Sequence, residues 1–142
     1  MKVKLLLRIA SACVLFFAAG HLVGHLTRKS TTDPKRQEVF KQMEEVKFPI
    51  GTQFRSYDEF FNGMSINFSI ALASLAILLW LISNSASSAP KTCYLLLWPV
   101  LICLVGFAIT GFIFFFLVPA VTCVAASFLI LMAINSLHKH NH

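Results

Sequence analysis

Charge is what this sequence has least of. Lys, Arg, Asp and Glu make up 13% of its 142 residues, about half the share in soluble domains. Between Lys91 and Lys139 there is none at all. A soluble domain cannot hide so long an uncharged run, whereas a transmembrane helix needs only about 20 apolar residues. The four cysteines, Cys13, Cys93, Cys103 and Cys123, form no CxxC pair, which argues against a thiol-disulfide enzyme and for small buried side chains. No GxSxG, HExxH or P-loop pattern occurs, so no common hydrolase or nucleotide site is indicated. The net charge of +6 is spread over segments that flank apolar runs, without a basic groove interleaved with aromatics. Lysines and arginines there anchor helices and meet anionic lipid, and nucleic acid is not an expected partner.

What the chain does have is apolar length. Its hydrophobic fraction is 57%, and its size suits a single integral membrane domain of 1–142. Four spans are expected, at about 5–26, 57–82, 92–112 and 119–137. The first begins with Lys2, Lys4 and Arg8 and offers a small-x-small pattern at Ala18-Ala19-Gly20, as a cleaved signal peptide would. The apolar stretch continues to Leu26 and positive charges follow it, so it reads as an uncleaved span with Arg8 snorkelling. Thr92–Leu137 is too long for one crossing. Pro119 suits the first turn of a last span, leaving Phe112–Val118 as a tight connection, with Gly111 as the rival break. Trp80, Tyr94 and Trp98 then form an aromatic belt at one surface.

The loop Thr27–Arg55 and the helix start after it carry all six acids. Asp33-Pro34 is a helix-start signal, and Val39, Phe40, Met43 and Val46 repeat at helical spacing among charges. A short amphipathic helix over about Pro34–Val46 is expected, ended by Pro49 and Gly51. Ser56-Tyr57-Asp58-Glu59 has capping-box spacing and opens the second span.

Polar residues cluster where the first span ends and the second begins. His21 and His25 lie within about two turns of one end, and Tyr57, Asp58 and Asn62 within about two turns of the other. Asp58, Asn62, Ser65 and Ser69 share one helix stripe. Gly20 and Gly24 form a small-xxx-small face expected at a helix contact, which would turn the histidines toward that stripe. Capping and the helix dipole alone account for Ser56, Asp58 and Glu59, and Arg28, Lys29 and Arg55 read as interface anchors. Polar groups inside a membrane are costly and often functional, so His21, His25, Arg55, Tyr57, Asp58 and Asn62 are the candidate ligand-binding set. His21 and His25, one turn apart, can grip one ion with Asp58 or Glu59 as third ligand. They cannot clamp a haem from both faces. His21 and Asn62 are expected within hydrogen-bonding or water-bridged reach of each other. His138, His140 and His142 read as a solvated tail.

Gly20-His21 at the end of span one, with Phe54-Arg55-Ser56-Tyr57 and Phe60-Phe61-Asn62-Gly63 opening span two, resembles a family of small bacterial four-span membrane proteins. The resemblance implies four spans and a charged first loop containing a short helix. It carries no activity and no cofactor. The fold expected is an all-α, four-helix transmembrane bundle. Its expected function is non-enzymatic binding of a ligand or partner at the polar mouth between spans one and two, with the bilayer, another membrane protein or self-association as partners. The alternative is a small membrane enzyme or metal site using His21, His25 and Asp58.

Overall fold

A computed structural model of the chain describes residues 2–140; His142, and the side chain of His140, lie outside the described residues. The fold is all-α apart from one hairpin: α1 (Lys2–Thr27), α2 (Pro34–Glu45), β1 (Lys47–Ile50), β2 (Gln53–Ser56), α3 (Tyr57–Ser85), α4 (Pro90–Phe114) and α5 (Leu117–His140). The four long helices are each long and apolar enough to cross a membrane. Only 28–39% of their most apolar windows is buried within the chain, so most of that surface faces outward, where a bilayer rather than water suits it. This is a multi-pass membrane architecture.

The chain divides into two compact units. One comprises α1 up to Ala18 and everything from Leu72 onward. Its core is built from Leu7, Ala10 and Val14 of α1, Leu72, Ala76 and Leu79 of α3, Leu97 and Leu104 of α4, and Ala126, Ile130 and Ala133 of α5. Their three- and four-residue spacing gives each helix one inward stripe. Ser11 Oγ donates to the Ala76 carbonyl at 2.7 Å, joining α1 to α3. Arg8 does not only snorkel: its guanidinium lies 4.6 Å from the Trp80 ring centroid and donates to Asn84 Oδ1 at 3.4 Å. Gly111 is not the break between α4 and α5 but a point where they approach closely. A Cβ there would lie 3.1 Å from Ala120 Cβ and 3.2 Å from its Cα. Only Phe115 and Phe116 separate these helices, with Pro119 in the first turn of α5 as expected. Cys93 and Cys123 are buried and all four cysteines are free thiols.

The second unit, Ala19–Ala71, contains the loop module. Asp33 caps α2, its Oδ1 accepting from the Lys35 amide at 3.0 Å, and Pro34 opens the helix. Gly51 does turn the chain, but into a hairpin that periodicity alone did not reveal, and Pro49 lies within its first strand opposite Phe54. β1 and β2 pair antiparallel with Lys47 opposite Ser56 and Ile50 opposite Gln53. Gly51 has φ +58°, and among the described residues no other residue type has positive φ, the glycine-first pattern of a two-residue hairpin turn. Phe48 packs at a tilt on Tyr57 at 4.6 Å and meets Phe60 edge-on at 5.8 Å, seating the hairpin on the first turn of α3. The capping box forms as its spacing requires: Ser56 N donates to Glu59 Oε2 at 2.8 Å, and Glu59 N to Ser56 Oγ at 3.1 Å.

Candidate functional site

The last turn of α1, the two residues after it and the first turns of α3 meet within this second unit. Asp58 lies in the first turn of α3, where the helix dipole favours a carboxylate, and its side chain is only 8% exposed. Burial without partners would be costly for an ionised group. Three donors remove that cost. Arg28 Nη2 donates to Asp58 Oδ1 at 2.5 Å, Lys29 Nζ to Oδ2 at 2.8 Å, and Asn62 Nδ2 to Oδ2 at 3.0 Å. Arg28 Nη2 also donates to Asn62 Oδ1 at 2.7 Å. Arg28, Asp58 and Asn62 are therefore bonded pairwise into a closed ring. The Arg28 guanidinium lies over Phe61 at 4.7 Å and Phe40 at 5.8 Å, so the clasp touches α2 as well. Lys29 extends the network by donating to Glu44 of α2. Its hydrogen bonds to Asp58 and then to Glu44 raise its pKa above the ordinary lysine range.

One layer deeper, His21 Nε2 lies 3.1 Å from Ser65 Oγ and 3.3 Å from the Ser65 carbonyl, and its ring meets Phe68 edge-on at 5.0 Å. Ser69 Oγ donates to the same carbonyl at 3.1 Å. Asp58 and Ser65 are buried and Asn62 and Ser69 half-buried, so the stripe read from the sequence does turn inward.

Of the six candidate residues, the structure brings Asp58 and Asn62 into one network and sets His21 on Ser65 beside it. Arg55 instead bonds Gln53 Oε1 at 2.7 Å and pairs with Glu59 at 3.7 Å, while Tyr57 packs on Phe48. His25 is half-buried, with Nδ1 shielded and, among the described residues, without a hydrogen-bond partner. His21 bonds Ser65, while Asn62 bonds Arg28 and Asp58. The metal arrangement is not assembled. Among the described residues no three His, Cys, Asp or Glu side chains are placed to hold an ion, and Asp58 is occupied by cations. The glycine contact is also corrected. Gly20 and Gly24 are exposed, and nothing lies within 4 Å of a Cβ built on either. α1 packs through Leu7, Ala10, Val14 and Ala18 instead.

Arg28 and Lys29 are the residues that sequence reasoning set aside as interface anchors. The signal was present: two cations end one span, an acid opens the next on the same side, and charges near hydrocarbon seek each other. Two open grooves flank the clasp. One, of about 300 Å³, is lined by Arg28, Lys35, Arg36, Val39 and Phe40. The other, of about 430 Å³, is lined by Arg55, Glu59, Phe60, Gly63, Met64 and Asn67. Compared with family models, curated proteins and solved structures, the chain matches none.

Proposed function

We propose that this is a non-enzymatic membrane protein that binds an anionic ligand, the headgroup of an acidic lipid, at the mouth where α1 ends and α3 begins. The observation that carries this reading is the groove lined by Arg28, Lys35 and Arg36 with Val39 and Phe40 as its apolar wall. Asp58 is already paired with Arg28 and Lys29 and hydrogen-bonded by Asn62, so it neither repels an anion nor serves as a base, and Asp33 lies 4.0 Å from Arg36 at the groove. Among the described residues no hydrogen bond or ion pair engages the Lys35 ammonium. Cations beside an apolar wall, at the end of a membrane-crossing helix, suit a phosphate with acyl chains below it. The helical spans and the resemblance to small bacterial four-span proteins lead us to propose the bacterial inner membrane as its location, since outer-membrane spans are β-barrels.

The test is lipid retention. Detergent-purified chain, incubated with mixed phosphatidylglycerol and phosphatidylcholine and washed, should retain the anionic lipid. The Lys35→Gln/Arg36→Gln double variant should retain it roughly 30-fold less tightly, at about 1 kcal/mol per basic residue. Equal retention of both lipids by the unaltered chain, or no change in the variant, overturns the reading.

A further inference from the structure

Arg8, which shares no residue with the mouth, lacks the counter-charge that Arg28 has. The unit that runs to Ala18 and resumes at Leu72 contains Lys2, Lys4, Arg8, Lys91 and Lys139, but no Asp or Glu. Arg8 is half-buried where α1 starts and α3 ends. Among the described residues its only hydrogen bond is the 3.4 Å contact from Nη2 to Asn84 Oδ1, and its Nε is shielded without a partner. One face of the guanidinium is covered by Trp80, so the edge carrying Nη1 and Nη2 is what a ligand can reach. Lys4 stands four residues before Arg8 and is exposed. Like charges at that spacing repel each other along a helix unless an anion joins them. Asn84 Nδ2 and Trp80 Nε1 are two more donors without an acceptor among the described residues.

We propose that Arg8, with Asn84 and Trp80, binds the phosphate of an acidic phospholipid at this end of the unit. The planar guanidinium fork matches phosphate oxygens with parallel N–H···O bonds, and the carboxamide and indole add donors beside it. With Lys4 close by and no carboxylate in the unit, a headgroup of net negative charge fits better than a zwitterion. Leu5 and Ile9 flank Arg8 on α1, Ile77 and Leu81 flank Trp80 on α3, and all four are exposed. Acyl chains cover such a surface, whereas a free phosphate leaves it bare. Trp80 suits the same boundary, since its ring is apolar and its N–H polar, the property that places tryptophan at headgroup level.

The experiment uses the full-length chain with Trp98→Phe, which leaves Trp80 as its single tryptophan, in liposomes of phosphatidylcholine and phosphatidylglycerol. One lipid or the other carries brominated chains, and quenching of Trp80 reports which lies beside it. Phosphatidylglycerol is expected to be enriched there about 5-fold over its share of the bilayer, as one basic residue near the surface gives. Arg8→Gln should abolish the enrichment. Arg8→Lys keeps the charge but not the fork and should lose roughly half of it. Lys35→Gln/Arg36→Gln should leave it unchanged, so this site and the mouth stand or fall separately. Excess inorganic phosphate should relieve the quenching no more than chloride at equal ionic strength. Equal quenching by the two lipids, or full enrichment in Arg8→Gln or Arg8→Lys, overturns the proposal. Loss of the enrichment with Lys35 and Arg36, or relief specific to inorganic phosphate, overturns it as well.

Discussion

Replacing Arg28 with Met removes the cation that touches most of the clasp. Its Nη2 holds Asp58 at 2.5 Å and Asn62 at 2.7 Å, and its side chain is only 13% exposed. Removing one partner of a buried ion pair costs about 3–5 kcal/mol, because the other charge stays buried. Lys29 and Asn62 still hold Asp58 Oδ2, and Lys29 is 40% exposed, so the lower end, about 3 kcal/mol, is expected. Asp58→Asn strands the guanidinium instead and should cost about as much. The Arg28→Met/Asp58→Asn double variant strands neither charge. It should therefore be more stable than the two single losses combined, with a coupling of about 2 kcal/mol. Unfolding in mixed detergent–dodecyl sulfate micelles, followed by far-ultraviolet circular dichroism, measures all four proteins on one scale. Additivity within about 0.5 kcal/mol would refute the ring as an energetic unit. Arg28 would then be a membrane anchor that lies beside Asp58 without stabilising it.

Two further predictions follow from the glycines. Gly24→Leu should be neutral, or stabilising by up to about 1 kcal/mol, since the position is open and leucine is the better helix former; a clear loss in the same micelle assay would mean that this face is packed. Gly111→Leu should destabilise by about 1–3 kcal/mol through overpacking against Ala120, and an unchanged unfolding midpoint would contradict the close approach of α4 to α5.

Much of the architecture was legible because its causes are local. An uncharged run too long for one crossing implies two helices, and Pro119 says where the second starts. Asp33-Pro34 and Ser56–Glu59 mark helix starts through hydrogen bonds made within one turn. The stripe from Asp58 to Ser69 follows from helical spacing alone. The hairpin was half legible: Gly51 announced a turn, but the pairing of β1 with β2 depends on Phe48 finding Tyr57 and Phe60.

Partner choice was not local, and only the tertiary structure decided it. The sequence by itself determined that Arg28, Lys29, His21, Asp58, Asn62 and Ser65 gather near the ends of two spans. Which of them pair depends on the rotation of each helix about its axis, and spacing along one helix says nothing about the rotation of another. Gly20 and Gly24 show this most plainly. Their spacing permits a close helix contact, but α1 turns Leu7, Ala10, Val14 and Ala18 inward and leaves both glycines outside. With that rotation set, Arg28 reaches Asp58 and Asn62, His21 reaches Ser65, and among the described residues no three-ligand metal arrangement forms. Burial made the choice, because a carboxylate enclosed at a helix start is stable only where cations can close around it.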